Sequence, residues 1–111
     1  MNRFSKTHTA AHFEKWDAVK DRIEKLYQEK DKEAIKLMEI AISDYAELLE
    51  YGGEELNEHT GEYVEVLMPL NGTERFDFVK ERIQSHYAHI QLNALYDETK
   101  KKAARLSVMK K

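Results

Sequence analysis

No cysteine occurs among the 111 residues, so disulfides, thiolate nucleophiles and Cys-ligated zinc or iron–sulfur centres are excluded. Small secreted domains commonly lean on disulfides, so this absence points to a reducing, cytoplasmic setting. Proline occurs once and glycine four times, all within one short stretch: Gly52, Gly53, Gly61, Pro69 and Gly72. These two residue types break regular structure most strongly. Residues 1–51 and 73–111 therefore read as helical arms around a punctuated centre. No apolar run approaches the roughly 20 residues that span a bilayer. The opening Met1-Asn2-Arg3-Phe4-Ser5-Lys6 lacks the apolar core of a signal peptide, and no membrane association is expected.

What is present is charge. At 35% charged residues the chain exceeds the usual share of about 25%, which suits slender helices with wide solvated faces. Eleven aromatic residues, many at periodic positions, argue for a packed core rather than disorder. The length fits one domain, residues 1–111, with fraying expected at 1–8 and 107–111.

From His12, apolar or aromatic side chains recur at Trp16, Val19, Ile23 and Leu26, with Phe13 and Tyr27 widening the stripe. Continued in register, the stripe would bury Lys30, Glu33, Asp44 and Glu47. It restarts instead on a new phase at Ile35, Met38, Ile42, Tyr45 and Leu49. The phase change predicts a turn near Asp31, with Asp31 as N-cap, between helices over 9–29 and 32–51. Gly52-Gly53 ends the second helix, where a left-handed residue is wanted. Thr73, after Asn71-Gly72, is the expected N-cap of a third long helix over 74–100, extending as far as Leu106 and bending or fraying beyond Asp97. Its stripe runs through Phe76, Val79, Ile83, Tyr87, Ile90 and Ala94, with Leu92, Leu95 and Tyr96 adding apolar surface.

The centre, residues 54–68, reads as a short helix or irregular segment. A hairpin turning at Asn71-Gly72 would set Met68 opposite Arg75 and Val66 opposite Asp77, so neither face is cleanly apolar. A short helix from Gly61 to Met68, stopped by Pro69, is the preferred alternative. The expected fold is all-α, a small antiparallel bundle of three long helices and this short piece.

Net charge is −3, unevenly placed. Residues 37–74 hold ten acids and no Lys or Arg, whereas residues 75–111 hold nine bases and four acids. Glu54, Glu55, Glu58, Glu62 and Glu65 would form an acidic interaction surface for a basic partner, with Trp16 as a partly exposed anchor. The acids could instead simply face basic neighbours within the bundle. Lys100, Lys101, Lys102 and Arg105 form a basic tail, continued by Lys110 and Lys111. Lysines there complement a helix dipole or touch phosphate. The tail lacks interleaved aromatics, and no helix-turn-helix, finger or RNA-recognition pattern points to sequence-specific nucleic-acid binding.

No Ser/His/Asp order, Gly-rich phosphate loop or His-Glu-x-x-His element occurs. No catalytic residue is assigned and no cofactor expected. The His8/His12 and His86/His89 pairs have helical spacing, so His86, His89 and His12 are the candidate metal ligands. A carboxylate-bridged bundle site, however, wants Glu-x-x-His, which is absent.

Arg82 and His89, spaced Arg-x6-His, resemble the Arg-x(4–6)-His element of the HEPN superfamily of helical ribonucleases and toxin-associated domains. The resemblance covers eight residues. It implies RNA processing, with Arg82 clamping phosphate and His89 or His86 as general acid/base. The polar residue often following that family's Arg is Ile83 here. The reading favoured by the whole sequence is a non-enzymatic, cytoplasmic helical bundle that binds another protein or itself. Homodimerisation would cover any stripe the bundle leaves open.

Overall fold

The computed structural model describes residues 6–108, with side chains from Thr9 onward. Its order is α1 (Lys6–Gln28), α2 (Glu33–Gly52), β1 (Glu54–Asn57), β2 (Glu62–Glu65), α3 (Gly72–Glu81) and α4 (His86–Val108). The all-α bundle expected from the sequence is present, with four helices and one small two-stranded sheet. The fraying expected at 1–8 and 107–111 falls largely outside the described residues.

The first two helices follow their stripes. Phe13, Trp16, Ile23 and Leu26 of α1 and Met38, Tyr45, Leu48 and Leu49 of α2 are buried. The cap position of α2 falls to Lys32, one residue after the expected Asp31, but Asp31 still ties down the helix start, its Oδ1 accepting the Glu33 N–H at 2.9 Å. Gly53, at φ 79°, closes α2, and its N–H bonds to the Glu50 carbonyl. Helix α1 packs against both α2 and α4, and α3 packs against α4.

The C-terminal arm departs from expectation: the single helix over 74–100 is two helices, separated at residues 82–85. Continuing one phase across that break would bury Tyr87 and Ile90, but these are 69% and 51% exposed. Helix α4 turns in Ala88, Leu92, Leu95, Tyr96 and Ala103 instead. Ser85 starts the new phase, its Oγ accepting the Tyr87 N–H at 3.1 Å. Thr73 is not the cap of α3. That position falls to Asn71, which adopts a left-handed conformation at φ 56° and makes no side-chain capping bond.

The centre is a β-hairpin rather than a short helix, and it turns at residues 58–61 rather than at Asn71-Gly72. The pairs are Glu54↔Glu65, Glu55↔Val64, Leu56↔Tyr63 and Asn57↔Glu62. Tyr63-Val64 favour extended backbone, and Asn57 and Gly61 supply the turn. The Asn57 Oδ1 accepts the His59 N–H at 2.9 Å, and Gly61 sits at φ 75°. The Val66 N–H donates to the Gly53 carbonyl at 2.8 Å, clamping the hairpin base onto the end of α2. Leu67, fully buried, plugs the return leg into the core against Gly52.

Under the hairpin base a buried hydroxyl chain crosses the core. Thr99 donates to the Leu67 carbonyl at 3.1 Å. Its one proton is thereby used, so in the 2.7 Å contact between Tyr45 and Thr99 the tyrosine is the donor. Tyr96 donates to the Ala41 carbonyl at 2.9 Å. Burial pushes the Tyr45 and Tyr96 hydroxyls far above their ordinary pKa, so both remain donors.

Candidate functional site

The acidic residues singled out from the sequence converge on the hairpin. Glu54, Glu55, Glu58 and Glu62 are exposed, and Glu65 is half-buried. Alternation puts Glu54, Leu56, Tyr63 and Glu65 on one face. Leu56 and Tyr63, directly paired, are 50% and 67% exposed. Glu54 and Glu65 oppose each other across the strands, an arrangement of like charges that destabilises a ladder. Desolvation, then Glu54 and Glu50, raise the Glu65 carboxyl above its ordinary range. Val64 lies on the opposite face and Leu70 just beyond, both exposed.

Beside the hairpin runs a groove of about 970 Å³. It is lined by Glu54, Glu62 and Glu65 of the hairpin and by Lys101, Lys102 and Arg105 of α4. The basic tail thus shares the groove with the acids, yet among the described residues no ion pair within 4 Å joins them. Lys101 pairs with Asp97 at 3.1 Å, and the Lys102 ammonium donates to the Met68 carbonyl at 3.0 Å. Lys100 is exposed and lines a separate small cleft with Asp17 and Asp97. Lys110 and Lys111 lie outside the described residues. At the groove's end Arg75 holds Glu98 in a fork, with N–O distances of 2.8 and 2.7 Å. Its Nε donates to Gln91 at 2.7 Å, and Nη1 also donates to the Leu70 carbonyl. That fork sets Glu98 below the ordinary carboxyl range and fixes the loop between β2 and α3.

Trp16 is not part of this surface. It is 3% exposed, stacks on Tyr96 at 4.8 Å and donates its Nε1–H to Asn93 Oδ1 at 2.8 Å. Its place on the α1 stripe faces it into the α1–α4 seam, so it is core.

The histidines divide. His86 and His89 share one face of α4, and α1 brings Glu24 to them, one ligand atom from each residue lying within 4.8 Å of the others. This is the one such group among the described residues. The Glu-x-x-His pattern does not reveal it because the carboxylate comes from another helix. His89 Nε2 contacts the Lys20 carbonyl at 2.9 Å, and its Nδ1, like His86 Nε2, is buried without a partner. Desolvation lowers the His89 pKa, which keeps the ring neutral at pH 7. His12 lies outside the group although its Nδ1 is also unpartnered, and the His8 side chain falls outside the described residues.

The two residues of the Arg-x6-His element sit in different surroundings. Arg82 is exposed at the end of α3, whereas His89 is buried in α4 against α1. The break at 82–85 removes the helix face they would share in a single helix over 74–100. No helix among the described residues is long and apolar enough to cross a membrane.

No curated protein and no solved structure matches the chain. A family model described as YpoC-like protein matches residues 6–111. With nearly the whole chain inside that match, the protein belongs to the YpoC-like family.

Proposed function

We propose that this chain is a non-enzymatic interaction module whose hairpin docks a basic segment of another protein. The observation that carries the reading is one hairpin face: the exposed Leu56–Tyr63 pair beside the opposed Glu54 and Glu65. A two-stranded hairpin is marginal in water by itself. This one also holds apolar side chains in solvent and like charges face to face. A cationic segment with an apolar side chain would relieve both penalties at once. Glu55, Glu58 and Glu62 would steer its approach, and the neighbouring groove would receive the flanking chain. Lys101, Lys102 and Arg105 lining that groove would favour one direction of the bound segment through repulsion.

The test compares the full chain as bait with two variants, Leu56→Ser/Tyr63→Ser and Glu54→Lys/Glu65→Lys. A protein retained by wild type, released by rising salt, lost with both variants and cross-linked through a basic segment to residues 54–65 supports the proposal. Equal recovery by wild type and variants, or cross-links confined to the helices, overturns it. Sedimentation of the same sample separates a different protein from a second copy, whose basic tail offers the same charge complement.

A further inference from the structure

We propose that Glu24, His86 and His89 form a binding site for one divalent first-row transition-metal ion, joining α1 to the start of α4. The inference is independent of the hairpin. Glu24, His86 and His89 each bring one ligand atom within 4.8 Å of the other two, and these two histidines each hold a buried imidazole nitrogen with no partner, His86 Nε2 and His89 Nδ1. Leaving such polar atoms unsatisfied is costly, and a shared cation between them would satisfy both.

The tautomer of His89 supports the same assignment. A carbonyl only accepts, so Nε2 carries the proton it gives to Lys20, and Nδ1 presents a lone pair. A backbone carbonyl holding the far N–H is the usual outer support of a metal-bound histidine. Lys20 lies one helical turn before Glu24, so α1 supplies both the support and the carboxylate. His86 is oriented by stacking on Tyr27 at 5.7 Å, and Tyr27 in turn donates to the Ile83 carbonyl at 2.6 Å. That bond also holds the α3–α4 break that places His86 at the helix start.

Ligand atoms around a tetrahedral ion with bonds of about 2.0–2.1 Å are roughly 3.3 Å apart. The group is spread over at most 4.8 Å, so binding an ion requires small side-chain adjustments of all three residues; Glu24 is half-buried and accepts a 3.5 Å contact from Gln28. His86 also lines a cavity of about 400 Å³ with Tyr27, Asp31 and Gln84. Two imidazoles and one carboxylate suit Zn²⁺, Fe²⁺, Co²⁺ or Ni²⁺ rather than Ca²⁺ or Mg²⁺. Three protein ligands leave a coordination position for water.

The experiment uses tag-free full chain stripped with chelator, titrated with Zn²⁺ by calorimetry and followed by thermal melting. One equivalent should bind with Kd in the micromolar range or below. At a hundred times Kd the Tm should rise by roughly 10 °C. His86→Phe, which keeps a ring on Tyr27, should abolish binding, and Glu24→Gln should weaken it at least about tenfold, one lost ligand being worth that much. In wild type, Co²⁺ should broaden the imidazole signals of His86 and His89 and leave that of exposed His59 sharp. No stoichiometric binding, unaltered binding in both variants, or broadening centred on other residues overturns the proposal. The Co²⁺ readout needs no variant, so a poorly folding mutant does not rescue it.

Discussion

The buried Tyr45–Thr99–Leu67 chain yields the sharpest stability prediction, because its donors and acceptors can be counted. Tyr45→Phe removes the short bond to Thr99 and the longer 3.4 Å approach to the Leu95 carbonyl, and leaves Thr99 bonded to the Leu67 carbonyl. The cost should be about 1–1.5 kcal/mol. Thr99→Val is nearly isosteric but strips two bonds. It leaves the Leu67 carbonyl without its hydroxyl donor and the Tyr45 hydroxyl with only a 3.4 Å approach to the Leu95 carbonyl. Stranding two buried polar groups should cost about 2–3 kcal/mol. In the double variant the tyrosine hydroxyl is gone, so the total should fall about 1 kcal/mol short of the sum. Urea unfolding of all four proteins, at a common m-value, measures this. Additivity within about 0.4 kcal/mol would refute the Tyr45–Thr99 coupling, since independent sites add to that tolerance.

Three further perturbations test other joints. Gly52→Ala places a Cβ 2.7 Å from Leu67 Cγ, and because Leu67 is fully buried the clash should cost about 1–3 kcal/mol in denaturant unfolding. Arg75→Leu breaks the fork to Glu98 and the ties to Gln91 and Leu70, at about 1–2 kcal/mol given partial solvent screening. Glu98, held low in the fold, contributes stability above the ordinary carboxyl range that is lost as pH falls through its folded value. That acid-side loss should shrink in Arg75→Leu melts. Glu65 has the opposite sign: its raised pKa means the hairpin is most stable when protonated and loses that stability as pH rises through the carboxyl range. Glu54→Gln should therefore stabilise by about 0.2–1 kcal/mol at neutral pH and by nothing measurable at pH 3.

Phase and punctuation account for how much of the fold is legible in the sequence. The stripe shift near Asp31 and the Gly52-Gly53 pair mark real ends, because both act within one helical turn. The break at Arg82-Ile83-Gln84-Ser85 contains no Gly or Pro, and each residue tolerates a helix. It is held by Tyr27 reaching across from α1 to the Ile83 carbonyl, a contact 56 positions distant in sequence. Ser85 as an N-cap is the one local signal of it. In the centre, Asn57 and Gly61 carry the hairpin's turn chemistry, whereas Asn71-Gly72 marks, as expected, the turn that leads into the next helix. The run of acids over residues 54–65 is read directly from the sequence. The exposed Leu56–Tyr63 pair depends on strand register, and the Glu24–His86–His89 group depends on α1 meeting α4, so neither lies in a local pattern.

Hydrogen–deuterium exchange on the bait bound to its captured partner tests the central claim most directly. The hairpin account predicts new protection over residues 54–65, diminishing with salt, and little change along α1. Protection confined to the helices with residues 54–65 exchanging as in the free chain would contradict it.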